Sequence, residues 1–302
     1  MTQVGWVGLG AMGRPMAERL VGAGHHVRAF DVVPAALEEW GRVEGAAERA
    51  GSPEDAARSA EVLAVMVATP TQVEDVLFGP RGAAPALAEG AVVLVMATIG
   101  PAAVEGVASR LAEQGVQVVD APVSGGVARA GTGELLMMAS GDEESLARVA
   151  PLMATMAAKA PVVGAVPGDG QKVKLVNQLL CGVHIAVAAE ALAYAEALGL
   201  DAEACWDVVR HGAAASFMLD DRGERMVRGA GEQVRSALDI FVKDMGLVLA
   251  AARDTVYPAP LASAAEQLYL TGRRAGLGRS DDSRLIEVLR GLRAPGERPA
   301  GA

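Results

Sequence analysis

The sequence predicts an α/β chain in which an N-terminal, doubly wound parallel sheet is followed by an all-α domain around one long central helix. Three observations carry this expectation. Strand-like and helix-like stretches alternate up to about residue 163, the pattern of βαβ units. A glycine turn, Gly8-Leu-Gly-Ala-Met-Gly13, joins the first strand to the first helix. From Gly168 onward strand signals stop and only helical periodicity is left. The 302 residues accommodate two domains, expected at 1–166 and 167–302, with a disordered tail from about 293 to 302.

Composition narrows the function classes. Half of the residues are apolar and 21% are charged, which supports a large core and excludes global disorder. A net charge of -10 argues against nucleic-acid binding and against adhesion to anionic membranes. Cys181 and Cys205 are the only cysteines, so neither a disulfide framework nor a cysteine metal site is expected. That usage suits a reducing, cytoplasmic compartment, and the N-terminus reads as a strand, not as a signal peptide. The apolar run Leu179–Leu200 carries His184, Glu190 and Glu196, which disfavours a membrane span. A helix apolar on nearly all sides instead predicts a subunit interface, hence a homodimer or homotetramer.

The elements follow in order. Gln3–Gly8 reads as a buried strand, Arg14–Ala23 as an amphipathic helix stopped at Gly24, and Val27–Asp31 as a second strand ending on an acid. This is the dinucleotide-binding unit of a Rossmann domain. Gly8 makes the tight turn, Gly10 lets backbone N–H groups approach a pyrophosphate, and Gly13 lets helix and strand pack closely, with Leu9, Ala11 and Met12 completing the loop. Asp31, 18 residues beyond Gly13, can accept both ribose hydroxyls and repels a 2′-phosphate, while Val32 and Val33 supply no arginine. The expected cofactor is therefore NAD in preference to NADP.

Further strands are expected at Glu61–Val67, Ala91–Val95 and Val116–Asp120, with helices from Thr71 and from Pro101 to Gln114. Ligands of such sheets sit beyond the carboxyl ends of the strands, where Thr69, Thr98 and Ser124 fall. Each alone is as well explained as a helix cap; three on one edge favour a site. Ser124-Gly125-Gly126 can aim successive N–H groups at an anion such as a carboxylate, or can be a plain tight turn. A helix at 143–157 and a strand at 160–163 complete the first domain.

Helices are expected at about 170–198, 201–211, 216–228, 236–256, 259–275 and 281–291. The first places Gln171, Lys174, Asn177, Gln178 and Cys181 on one stripe. Lysine occurs only at 159, 172, 174 and 243, and all other basic residues are arginine, which does not give up its proton. Lys174 is thus a candidate acid–base group, and Lys172, facing away, is the internal comparison.

Four blocks resemble the β-hydroxyacid dehydrogenases, the family of 3-hydroxyisobutyrate dehydrogenase and tartronate semialdehyde reductase. They are Gly8–Met16, Asp120–Gly126, Gly170–Lys174 with Asn177, and Lys243-Asp244. The resemblance implies a Rossmann domain followed by a helical domain, and hydride transfer to or from a small hydroxy acid. It implies Lys174 as the catalytic residue, and Ser124, Gly125, Gly126, Asn177, Gln178 and Asp244 as substrate contacts. It implies cofactor contacts at Val67, Ala68, Gln72, Thr98 and Lys243 beside those of the glycine turn, to which the strand-edge position adds Thr69; no metal is expected. Gln178 stands where the 3-hydroxyisobutyrate enzymes have asparagine. The C-terminal half looks closer to the threonate dehydrogenases of the family, on Gln178–Ile185, Ser236–Asp244 and Asp281–Ser283, with Phe217 in place of their tryptophan. Imine reductases on this fold generally lack a lysine at the position of Lys174.

Overall fold

The computed structural model describes residues 1–231 and 234–292. The tail expected to be disordered, 293–302, lies outside the described residues. Two compact units are present, Met1–Lys174 and a second from Leu175 onward.

In the first unit the chain runs β1 (Gln3–Val7), α1 (Gly13–Gly22), β2 (His26–Phe30), α2 (Pro34–Trp40), β3 (Ala47–Arg49), α3 (Pro53–Ala57), β4 (Val62–Val65), α4 (Pro70–Phe78), β5 (Val92–Val95), α5 (Pro101–Ala112) and β6 (Gln117–Asp120). It continues through β7 (Val123–Ser124), α6 (Gly126–Thr132), β8 (Leu135–Met137), β9 (Ala139–Ser140), α7 (Glu143–Met156), β10 (Ala157–Lys159) and β11 (Val162–Gly164). The main sheet has the order β11-β9-β6-β5-β4-β1-β2-β3, and β3 to β6 within it are parallel. Strand order reverses between β1 and β4, the switch point at which such sheets bind ligands.

Both faces of this sheet are buried, so its central strands are apolar at every position, as expected of parallel sheets. Successive residues serve opposite cores. Val62, Ala64, Val92 and Leu94 pack with Met16 and Leu20 of α1 and with Val149 and Met153 of α7. Leu63, Val65, Val93 and Val95 pack with Val73 and Leu77 of α4 and Val104 and Leu111 of α5.

The strand expected at 160–163 is two strands on either side of Pro161. β10 joins a small sheet of order β10-β8-β7, and β11 joins the main one. The chain changes sheets similarly at Met138, whose N–H donates to the Pro122 carbonyl at 3.0 Å. β3, with the sequence Ala-Glu-Arg, and the short helices α2 and α3 lack the periodicity that marks longer elements.

Helix α8 spans Asp169–Ala197 without a break. In the second unit its buried residues Ile185, Ala188, Ala189 and Leu192 form the middle of a helical core. By length and apolarity alone α8 could cross a membrane; here those residues are core. Around it stand α9 (Ala202–Val209), α10 (Phe217–Arg228), α11 (Leu238–Asp254), α12 (Pro260–Arg274) and α13 (Leu285–Arg290). Gly182 lets α11 come close, since a Cβ there would sit 2.3 Å from Met245 Sδ. Tyr269 stacks on Phe241 with ring centroids 5.5 Å apart and donates its hydroxyl to the Gly182 carbonyl at 2.8 Å. Asp281 and Asp282, both buried, take the guanidinium groups of Arg225 and Arg222 and tie α10 to the turn before α13.

Candidate active site

The glycine turn has the geometry its sequence implies. Gly8 has φ +103°, and a Cβ there would lie 2.2 Å from the Met66 carbonyl oxygen. A Cβ at Gly13, the first residue of α1, would lie 2.0 Å from the Gly8 oxygen. Gly10 is the opposite case: it is exposed and a Cβ would meet nothing within 4 Å. The turn is therefore closed towards the sheet and open towards solvent, which fits a phosphate approached by backbone N–H groups. Asp31, directly after β2, accepts from Leu9 N–H at 2.6 Å and from Val33 N–H at 2.8 Å. Its carboxylate thus lies against the glycine turn, while the contact expected of it is with the ribose hydroxyls.

The other expected cofactor contacts follow the neighbouring strands. Val67, Ala68 and Thr69 follow β4, and Thr98 follows β5. Thr69 and Gln72 form a capping box on α4: Thr69 Oγ1 accepts from Gln72 N–H, while Gln72 Oε1 accepts from the N–H groups of Ala68 and Thr69. These two side chains therefore have a structural duty here. Ser124 ends β7, and Gly125 and Gly126 follow with φ of +141° and +74°, conformations open to glycine but rare for L residues.

The lysines separate sharply. The Lys174 side chain is buried, with the residue 5% exposed. Lys172 is 55% exposed and pairs with Asp169 at 2.9 Å.

Gln171, grouped with Lys174 on sequence spacing, has a different role. Fully buried, it uses its whole amide: Oε1 accepts from Ile99 N–H at 2.9 Å and Gly100 N–H at 3.0 Å, and Nε2 donates to the Ala97 carbonyl at 3.0 Å and to Asp120 Oδ1 at 2.7 Å. Asp120, at the end of β6, also accepts through Oδ2 from the Gly168 and Gln171 N–H groups and from the Ser140 hydroxyl. Burial pushes the Asp120 carboxyl up to about 6, against those hydrogen bonds. Sequence reading missed the importance of Asp120 and Ser140; a carboxylate inside an apolar strand end was the available signal.

In the second unit four expected site residues form one chain of contacts. Lys243 Nζ lies 2.9 Å from Asp244 Oδ1, and Gln178 Nε2 donates to Asp244 Oδ2. Gln178 Oε1 then accepts from Asn177 Nδ2 at 2.8 Å, and the same Nδ2 reaches Cys181 Sγ at 3.4 Å. A carboxylate can only accept, so Asp244 sets the direction of both amides and leaves Asn177 with its oxygen as the polar group to offer.

A glycine turn at the switch point of a doubly wound sheet, with an acid at the end of the second strand, marks a dinucleotide-binding protein. Residues 3–164 match the NAD-binding domain of 6-phosphogluconate dehydrogenase, and residues 168–289 match the NAD-binding domain of NADP-dependent 3-hydroxyisobutyrate dehydrogenase. The chain is 42% identical to an L-threonate dehydrogenase of Cupriavidus necator, over 97% of this chain and 98% of that one. It is 40% identical to an L-threonate dehydrogenase of Escherichia coli K12, over 97% and 96%. Its structure resembles a crystal structure titled 3-hydroxyisobutyrate dehydrogenase from Salmonella typhimurium, with a TM-score of 0.88, 39% identity, and coverage of 94% and 99%. The chain belongs to the β-hydroxyacid dehydrogenase family and is a nicotinamide-dependent oxidoreductase acting on CH–OH groups of small hydroxy acids.

Proposed function

We propose that this protein transfers hydride reversibly between NAD and a hydroxyl-bearing carbon of a small aldonate of the threonate type, with Lys174 as general acid–base. The observation that carries the reading is the burial of Lys174 in the second turn of a helix whose exposed lysine is at 172. Identities of 40–42% to L-threonate dehydrogenases support the substrate class. Asp31 beside the glycine turn supports NAD over NADP, because its charge repels a 2′-phosphate.

The bound nicotinamide supplies the hydride acceptor. The protein's own residues do the rest. N–H groups around Ser124, Gly125 and Gly126 hold the substrate carboxylate. Asn177 accepts from a substrate hydroxyl, and Gln178, locked by Asp244, fixes the direction of that bond. Lys174 Nζ takes the proton of the reacting hydroxyl on oxidation and returns it on reduction. Lys243, paired with Asp244, serves the cofactor side.

A second reading, a 3-hydroxyisobutyrate dehydrogenase or a tartronate semialdehyde-type reductase, is favoured by the Salmonella structure. Gln178 counts against the former. NADH formation with a panel of L-threonate, D-threonate, 3-hydroxyisobutyrate, glycerate and serine separates them; the greatest kcat/KM is expected with L-threonate. Lys174→Ala is expected to lower kcat by about 10²–10⁴-fold while cofactor affinity holds. Lys174→Arg is expected to be nearly as inactive, and wild-type turnover in either variant removes the assignment.

Assembly as a homodimer or homotetramer is part of the same reading. Val176, Leu180, Val187 and Tyr194 are exposed at helical spacing along α8, and Leu198 just past its end, an apolar stripe suited to a second copy. Cys181 and Cys205 are not joined in a disulfide, which supports a cytoplasmic setting.

A further inference from the structure

We propose that Asp120 and Gln171 are positioning residues for the reaction: their buried hydrogen-bond pair holds the segment Ala97–Gly100, which carries Thr98, in register with the first turns of the helix that carries Lys174. The proposal rests on the reading of Lys174 as acid–base group and Thr98 as a cofactor contact. Neither Asp120 nor Gln171 has a role in that reading.

The geometry is specific. Gln171 brackets Thr98, bonding the carbonyl before it and the two N–H groups after it. Lys174 follows three residues later, about 4.5 Å further along the helix axis. One side chain therefore sets both the loop and the start of the helix. Asp120 holds that side chain from behind and takes the N–H groups of Gly168 and Gln171. Ser140 completes the clamp by donating to Asp120 and accepting from Gly170 N–H at 2.9 Å. The packing leaves no slack: a Cβ at Gly170 would lie 2.4 Å from the Met138 carbonyl oxygen and 2.8 Å from Asp120 Oδ2.

A helix cap alone does not need this arrangement. A serine or aspartate just before the helix would satisfy the same N–H groups locally, without burying a distant carboxylate. The four hydrogen-bond donors to Asp120 are neutral, so these bonds hold its carboxylate out of water without the charge of a cation. Burial raises the Asp120 carboxyl to about 6, so the folded state carries the ionised form at a cost. Only an acceptor-only group meets all four donors while forcing the Gln171 amide into a single orientation. Asparagine at 120 cannot: its Nδ2 would face Gln171 Nε2, and a flipped Gln171 would turn Nε2 against the N–H groups of Ile99 and Gly100.

That polarity argument supplies the test. In Asp120→Asn the bracket around Thr98 loosens, and displacements of about an ångström in a reacting pair can cost on the order of 10²-fold in rate. The expected result is kcat down by about 10²-fold, with cofactor Kd weakened by no more than about tenfold, since Thr98 is one contact of several, and with substrate KM and Tm close to wild type. The double variant Asp120→Asn with Gln171→Glu restores a donor facing an acceptor between positions 120 and 171, but it turns a carboxylate oxygen against the Ala97 carbonyl and so leaves the bracket broken; kcat is expected to stay as low as in Asp120→Asn. Wild-type kcat in Asp120→Asn overturns the proposal, as does a double variant restored to wild-type kcat. So does loss of kcat that merely tracks a lowered Tm. If Asp120→Asn does not fold, Ser140→Ala tests the same clamp, with kcat reduced about tenfold expected and wild-type kcat overturning it. Lys174→Ala is run alongside. Turnover in that variant would remove the underlying reading, whereas an inactive Lys174→Ala beside a fully active Asp120→Asn removes only the positioning role.

Discussion

Replacing Gly10 by alanine asks whether the glycine turn holds a pyrophosphate. In the protein alone a Cβ at Gly10 meets nothing within 4 Å, and its φ is not in the left-handed region. Alanine is thus accommodated without strain, and fewer unfolded conformations add about 0.4–1 kcal/mol of stability. A phosphate drawn against the backbone N–H groups has no such room for a methyl. Loss of one charge-assisted hydrogen bond costs roughly 1.5–3 kcal/mol, about 10- to 150-fold in Kd. Gly13→Ala is the contrasting variant. Its Cβ would sit 2.0 Å from the Gly8 oxygen, 1.0 Å inside the 3.0 Å limit of real contacts. Gly8 cannot retreat, because its N–H donates to Phe30 O at 2.9 Å and its carbonyl accepts from Trp6 Nε1 at 2.8 Å. The start of α1 must move instead, costing about 1–3 kcal/mol of stability as well as affinity. Fluorescence titration with NADH and thermal unfolding of the cofactor-free proteins measure both quantities. Gly10→Ala is expected to lose affinity alone and Gly13→Ala to lose both. Wild-type NADH affinity in Gly10→Ala would refute the placement of the pyrophosphate.

Asp31→Ser combined with Val32→Arg is expected to move the NAD/NADP ratio of kcat/KM towards NADP by at least about tenfold, since Val32 is 80% exposed and leaves space for the guanidinium; an unchanged ratio speaks against Asp31 as the ribose acid. Burial pushes Asp281 up, but hydrogen bonds from Ser283, the Arg235 N–H and Arg225 outweigh it and hold the carboxyl down at about 2. Its folded value is below the unfolded one, so its contribution, at most about 2 kcal/mol, is present above pH 4 and lost as pH falls from about 4 to 2. Asp281→Asn should flatten the urea-unfolding free energy across that window, and an unaltered pH slope contradicts the assignment. Gly223→Ala places a Cβ 2.6 Å from the Trp206 ring, so Tm is expected to fall by several degrees with kcat little affected in the fraction still folded.

Much of the fold is legible in the chain because its signals are local. Alternation of apolar strands with amphipathic helices marks a doubly wound sheet, and the spacing of Gly8, Gly10 and Gly13 before α1 marks the cofactor turn. The six helices after residue 168 follow from their periodicity to within a few residues. The short pieces, β3, α2 and the small sheet, escape for the opposite reason: two to seven residues are too few to show a period.

By itself the sequence determined the class of fold, the cofactor turn and a short list of amines and amides on one helix. Tertiary structure decided what each of them does. Helical spacing already set Lys174 apart from Lys172, and packing gives the difference its physical form: one is solvated and paired with Asp169 while the other is enclosed. Gln171 looks like a partner of Lys174 and is instead bonded to residues 51 to 74 positions away. Gln178 and Asp244, 66 residues apart, set the direction of the amides together. Periodicity and turn chemistry are properties of neighbouring residues, so they can be read along the chain. Burial, and the choice of hydrogen-bond partner that burial enforces, arise only when distant segments pack.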